Sequence, residues 1–279
     1  MSVLNKLKLT TIHNVKCKPL KIYNMETVKQ PLKISFYTQK GGVGKSTLTT
    51  LLASLLHYRL GYNVLVMDCD FPQNSLVNMR ERDKGSIMQN KYYKQLASRQ
   101  FQTLNKKAYS IVKCKAEDAL EIALDTMREL DQVFDVIFFD LPGTANTKGV
   151  LSTLNQMDYI FSPIIADRLV VESTLGFTKA FAELPKDKNR PIKQELWLFW
   201  NQVDGREKTD LYDNYETVIN QLNLPIMMAR IKDSKRFRKE TEAKGRYVFR
   251  SSLLPANTNL MKTTNLSAFI EEFLTITNL

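Results

Sequence analysis

The sequence predicts an α/β fold in three layers, a mostly parallel central sheet with helices on both faces. Three observations carry that prediction. Short, wholly apolar strand candidates such as Val64–Met67 recur along the chain, as strands buried on both faces do. Helical stretches separate them in the order of parallel βαβ units. The first strand candidate runs into a glycine-rich turn and then an apolar helix.

The elements follow in order. Residues 1–30 carry Lys6, Lys8, Lys16, Lys18, Lys21 and Lys29 against the single acid Glu26, with weak periodicity, and are expected to form a basic N-terminal arm. Met25 precedes the first strand closely and offers a second natural start, in which case the arm is not part of the protein. Ile34–Thr38 reads as the first strand and Ser46–Leu60 as a buried helix stopped by Gly61. Val64–Met67 and Phe134–Phe139 are further central strands, Tyr159–Ile164 a weaker one, and Leu196–Trp200 the last. Between them, Met79–Lys115 breaks the alternation and is strongly basic, its only acids being Glu81 and Asp83, so a helical excursion is expected there. Residues 31–279 are expected to form one domain.

With 279 residues, 43% hydrophobic and 25% charged, the chain has the balance of a water-soluble globular protein. Its longest apolar runs fall far short of the roughly 18 residues that cross a bilayer. Forty Lys+Arg against 29 Asp+Glu give a net charge of +11, which favours a polyanionic partner, nucleic acid or an acidic membrane face. Cys17, Cys69 and Cys114 are too widely spaced for a disulfide framework or a CxxC metal site, and a reducing cytoplasm fits best. Cys69, His13 and His57 are read as structural residues.

The informative segment is Gln39-Lys40-Gly41-Gly42-Val43-Gly44-Lys45-Ser46-Thr47, between strand and helix. Consecutive backbone N–H groups at such a turn, joined to the positive end of a helix, hold a triphosphate. Glycine lets the backbone approach the phosphates. Lys45 would reach the β and γ oxygens, and the Ser46 hydroxyl would enter the shell of Mg²⁺. The spacing departs from GxxxxGK[ST], because Gln39 stands where the first glycine belongs, and reads K-G-G-x-G-K-[ST] instead.

KGGVGKST resembles the deviant Walker A motif of the ParA/MinD family of dimerising ATPases, which implies a three-layer P-loop NTPase fold with ATP and Mg²⁺ as ligands. Downstream, VLVMDCDFPQNS resembles the family's switch I, with Phe71 placed between Asp70 and Pro72. Asp140 resembles its Walker B aspartate, with Gly143 in the following switch II, and Asn201 matches the asparagine that recognises adenine. The likeness covers most of residues 32–240 and matches the basic excursion poorly.

The resemblance implies roles. Gly41, Gly42, Val43, Gly44, Lys45, Ser46, Thr47 and Asn201 would bind the nucleotide; Ser46, Asp68 and Asp140 would support Mg²⁺; Asp70 would orient the attacking water. Lys40 would cross to the phosphates of a partner subunit, so that two subunits sandwich two ATP molecules and dimerisation is coupled to hydrolysis. Slow turnover stimulated by a ParB-like or other adaptor is implied as well. The plainer role for Asp68 and Asp70 is capping of the next helix.

Arg230, Lys232, Lys235, Arg236 and Arg238 begin a cationic run that continues through Lys239, Lys244, Arg246 and Arg250. Such a cluster suits a DNA phosphate backbone without base reading, as ParA-type members use it, and Arg230 and Arg236 are the first choices. A solvated helix face is the alternative. A MinD-like membrane role would need a cationic amphipathic C-terminus, whereas Phe269, Ile270, Phe273 and Leu274 are accompanied by Glu271 and Glu272 and are expected to pack onto the domain. A dethiobiotin-synthetase-like ligase remains a second class; a nitrogenase-reductase-like carrier fails, since only Cys114 follows Cys69. The expectation is a ParA-like ATPase, of the kind that includes TraA-like proteins of conjugative elements, which acts in partition, positioning or transfer, in the cytoplasm and on the nucleoid.

Overall fold

A computed structural model of the protein describes residues 30–144, 149–184, 194–206 and 209–279; residues 1–29 of the expected basic arm lie outside them. Six parallel strands form one sheet in the order β3-β2-β4-β1-β5-β6. They are β1 (Leu32–Phe36), β2 (Val64–Asp68), β3 (Ser110–Lys113), β4 (Val136–Asp140), β5 (Tyr159–Ile164) and β6 (Glu195–Trp200). The principal helices are α1 (Lys45–Tyr58), α2 (Ser75–Gln89), α3 (Lys91–Leu104), α4 (Ala119–Leu130), α5 (Val150–Leu154), α6 (Arg168–Ala182), α7 (Thr209–Gln221), α8 (Thr258–Thr263) and α9 (Leu266–Thr277).

The continuous apolar strands are explained by burial on two sides. Val64, Val66 and Phe138 enter one core with α1, α8 and α9, while the alternating Leu65, Met67, Ile137 and Phe139 enter the other with α4 and α6. Phe36 meets Phe138, Phe161, Phe199, Phe269 and Phe273 at ring-centroid distances of 5.8 to 6.5 Å. The C-terminal apolar stripe is thus committed to the sheet. Glu272 on α9 fastens it further, each carboxylate oxygen accepting one backbone N–H, from Met228 and Ala229, at 2.8 Å.

The basic excursion differs from the expectation of helix throughout. It begins in α2 and α3, but its end is β3, which pairs with β2 from Leu65↔Ser110 to Asp68↔Lys113. Ile111 and Val112 supply the β-branched, buried centre of this edge strand. The flanking Lys106, Lys107, Lys113 and Lys115 conceal it in the sequence and are the residue type that protects a sheet edge. Cys69 and Cys114, at the ends of β2 and β3, are buried free thiols with their sulfurs 3.5 Å apart. His57 is also buried; its Nε2 meets the Lys107 carbonyl oxygen at 2.9 Å.

β1 lies centrally, between β4 and β5, so the segment leaving its carboxyl end emerges where neighbouring strands lead to opposite sides of the sheet. Open parallel sheets bind ligands in that crevice.

Candidate functional site

The loop from Gln39 to Gly44 leaves β1 and delivers its last residue to the start of α1. Gly42 and Gly44 have φ of +76° and +93°, a region that side chains rarely adopt. Gly44 has a second reason to be glycine: a Cβ there would lie 2.9 Å from Nδ2 of Asn201. The end of β6 holds the loop directly. Asn201 Nδ2 donates to the Val43 carbonyl at 2.8 Å, and Gln202 Nε2 donates to the Gly42 carbonyl at 2.9 Å. That bond leaves the Oδ1 of Asn201 as an acceptor.

Lys45 folds back along the loop and donates from Nζ to the Lys40 carbonyl at 2.9 Å. Burial lowers its pKa, opposed by the carboxylates of Asp140 and Asp70. A side chain at Gly143 would put its Cβ 2.9 Å from this Nζ. Gly143 therefore leaves room for the lysine.

Asp68 and Asp140 are register partners at the carboxyl ends of adjacent strands, and both are buried. Asp68 Oδ2 accepts the N–H groups of Leu76 and Val77, each at 3.0 Å, so this carboxylate does cap α2. Among the described residues, its Oδ1 and Oδ2 of Asp140 are buried without a hydrogen-bond partner. Burial pushes Asp68 up to about 6 and Asp140 up to about 7, the latter opposed first by Ser46. Two such orphaned oxygens beside a serine hydroxyl suit a hard divalent cation. Among the described residues no group of three His, Cys, Asp or Glu could hold a metal without other ligands. Such a cation would need oxygens from phosphate and water, as Mg²⁺ takes them.

Two adjoining cavities share Gly42, Gly44 and Thr47. The larger, about 600 Å³, is lined by Gln39, Lys45, Ser46, Asp70, Phe71 and Gly143 among others. The smaller, about 80 Å³, lies between Asn201, Gln202, Asp233, Phe237 and Arg238. Phosphates suit the first, beside Lys45 and Ser46 at the start of α1, and a planar base suits the second. Lys40 lines neither of them.

A model of the CobQ/CobB/MinD/ParA nucleotide binding domain matches residues 34–246. The chain belongs to this family. The architecture agrees with that of a putative plasmid partition protein from Borrelia burgdorferi B31, solved with AMPPNP, at 19% identity and a TM-score of 0.53 over 88% of this chain and 99% of that one. MinD from Aquifex aeolicus is similar at 15% identity and a TM-score of 0.49, over 75% of this chain and 84% of its own. Cobyrinic acid a,c-diamide synthase from Mycobacterium smegmatis, with a bound ATP analogue and magnesium, is similar at 20% identity and 0.49, over 73% and 85%. No curated protein matches the chain.

In this CobQ/CobB/MinD/ParA domain the basic residues divide. Arg230 ion-pairs with Glu216 at 2.8 Å and with Asp213 at 3.5 Å, and its guanidinium lies over Tyr212. Its charge is locally balanced against α7. Lys232, Lys235, Arg236 and Arg238 are exposed, the last three on a short 3₁₀ turn whose start Ser234 caps. Among the described residues no helix is long and apolar enough to cross a membrane.

Gln202, Asp233 and Phe237 belong to no motif and are marked in the sequence only by their proximity to motif residues. Arg250 was legible only as one more cation, yet its Nη1 donates to Oγ1 of Thr47.

Proposed function

We propose that this protein is a ParA-like ATPase that binds ATP with Mg²⁺, forms a nucleotide-sandwich dimer and, in that state, binds DNA without sequence preference. The observation that carries the reading is the division of the two loop lysines: Lys45 lines its own phosphate cleft, whereas Lys40 does not.

Backbone N–H groups of Gly41 to Thr47 surround the phosphates. The Nζ of Lys45 exchanges the Lys40 carbonyl for β and γ oxygens and offsets the charge that develops there. Asn201, oriented by its bond to Val43, accepts from the adenine amino group through Oδ1. Ser46, Asp68 and Asp140 would hold Mg²⁺, directly or through its waters, and the bound ion supplies charge neutralisation at the phosphate oxygens. Asp70, on the rim of the cleft, orients the water that attacks the γ phosphorus, releasing ADP and inorganic phosphate. Lys40 reaches the nucleotide of a facing copy and ties turnover to dimerisation.

Lys232, Lys235, Arg236 and Arg238 contact DNA phosphates, while Arg230 serves the α7 junction. Slow turnover, a ParB-like activator, a place on the nucleoid and a role in partition, positioning or conjugative transfer complete the reading. DNA co-sedimentation with ATP, with ADP and without nucleotide tests it. Salt-sensitive binding with ATP alone is the expected result, and no binding at low salt in any state removes the reading.

A further inference from the structure

The basic excursion and the C-terminal cationic run are distant in sequence but form one surface. Asn90, between α2 and α3, joins them. Its Oδ1 accepts the N–H groups of Tyr92 and Tyr93 at 2.9 and 3.4 Å, which caps α3. Its Nδ2 donates to the carbonyls of Ala243 at 3.0 Å and Gly245 at 2.7 Å, with Glu242 at 3.4 Å. Tyr93 adds a hydroxyl bond to the Tyr247 carbonyl at 3.0 Å. A Cβ at Gly245 would collide with that hydroxyl, so glycine is needed for the approach. Asp83, buried in α2, takes the Thr241 hydroxyl and both the N–H and hydroxyl of Ser252, at 2.6 to 2.8 Å. The segment 241–252 is therefore fixed on α2 and α3 at both ends.

The outward side of this fixed segment combines cations with aromatic rings. Tyr247 is 68% exposed and stacks on Phe249 at a centroid distance of 6.1 Å and an interplanar angle of 26°. Arg236 lies over the Phe249 ring, 5.9 Å from its centroid. Lys244 and Arg246 are exposed in the same segment, as is Lys239 just before it; across Asn90, so are Lys91, Lys94 and Tyr92, the last at 42%. Three acids stand near. Glu240 is held by Arg82 and Arg250, which leaves Asp233 and Glu242 as the exposed counter-charges of the run among the described residues.

Cations alone would serve any polyanion, but the rings are selective. A duplex keeps its base faces stacked inside and offers a protruding tyrosine only groove edges. A single strand presents base faces to aromatic side chains while its phosphates follow the cations. We propose that this composite surface binds single-stranded DNA, with bases stacking on Tyr247 and the backbone running along Arg236, Arg246 and the start of α3. The inference rests on the nucleic-acid reading above and deepens it by naming the form of DNA.

The test uses the full chain with ATP and Mg²⁺, a labelled oligodeoxythymidylate, its duplex with oligodeoxyadenylate, and an oligouridylate of equal length, followed by fluorescence polarisation. The wild type should prefer the deoxythymidylate strand to its duplex. Tyr247→Ala, at an exposed position that leaves the core untouched, should weaken the single strand about tenfold and the duplex less than about twofold. Tyr247→Phe should retain wild-type binding. Arg236→Ala should weaken both forms together and reduce the salt slope by about 1. Equal effects of Tyr247→Ala on strand and duplex, or tighter binding of oligouridylate than of the DNA strand, would overturn the inference while duplex binding upholds the reading beneath it. Failure of the wild type to bind any of the three would overturn both.

Discussion

Arg250 bonds to Thr47: its Nη1 donates to the threonine hydroxyl at 2.9 Å, while its Nη2 donates to Glu240 at 2.8 Å. The same glutamate takes two bonds from Arg82 on α2, at 2.8 and 3.0 Å, and the arginines hold its carboxyl below the ordinary range. Asp68 caps the start of that helix. A continuous set of contacts thus runs from the phosphate loop through the C-terminal segment to α2 and back to a candidate cation ligand. Thr47 borders both cavities, so in the proposed reading Arg250 aims its hydroxyl between the phosphate and base sites. Arg250→Ala should weaken nucleotide binding by about tenfold or less, the scale of one charged hydrogen bond acting through another group. Arg250→Lys should recover part of the loss. Isothermal titration with a non-hydrolysable ATP analogue measures both.

The two lysines of the loop should separate under substitution. Lys45→Gln removes the cation inside the cleft and should reduce nucleotide affinity by about two orders of magnitude. Lys40→Ala should leave nucleotide affinity of the monomer within about twofold of wild type, because the side chain does not line its own cleft, yet lower both dimer formation and turnover. Light scattering and phosphate release report the two effects. Equal loss of affinity in both variants contradicts the division of labour.

Cation binding should depend on pH through Asp140. Its pKa of about 7 and that of about 6 at Asp68 arise mainly from burial, so the carboxyls are partly protonated below neutrality. A divalent cation requires the ionised forms. Lowering the pH from 8 to 6 should therefore raise the Mg²⁺ concentration needed for nucleotide binding by about tenfold, and binding near pH 7 should release protons. Titrations in buffers of differing ionisation enthalpy would detect that release, and a flat dependence would show that neither carboxylate serves the cation.

The glycine-rich loop between β1 and α1 was legible because its signal is local: glycines that take positive φ at positions 42 and 44, followed at once by a helix, stand within a few consecutive residues. The central strands were equally legible, since burial on both faces leaves an unbroken apolar run such as Val136–Phe139. β3 was not. Four residues at a sheet edge need only a short apolar centre, and the lysines around Ile111 and Val112 outweighed it. For Arg230 the silence is of another kind: a cation in a cationic run gives no local sign that Glu216 on another helix pairs with it. Asn90 and Arg250 escaped notice because their partners lie 153 and 203 residues away for the Ala243 and Thr47 bonds, and such pairing follows from the assembled fold alone.

His57 supplies a stability prediction that is independent of ligands. Burial, its largest cause, lowers the pKa to about 4, and the Nε2 contact with the Lys107 carbonyl fits a neutral ring that donates from Nε2. The unfolded chain, with an ordinary histidine near 6.5, binds the proton more readily than the folded one between these values. Stability contributed by this residue is thus fully present above about pH 6.5 and is lost as the pH falls toward 4, by about 2–3 kcal/mol. The buried carboxyls work in the opposite sense, because Asp68 and Asp140 are raised and their folded forms retain protons over the range from about pH 4 to 7. Comparison with His57→Gln separates the two. Urea unfolding of both proteins from pH 4.5 to 7.5 should show the wild type losing its advantage over the variant on acidification, whereas a constant difference across that range would mean that the ring is protonated, or solvated, in the folded protein.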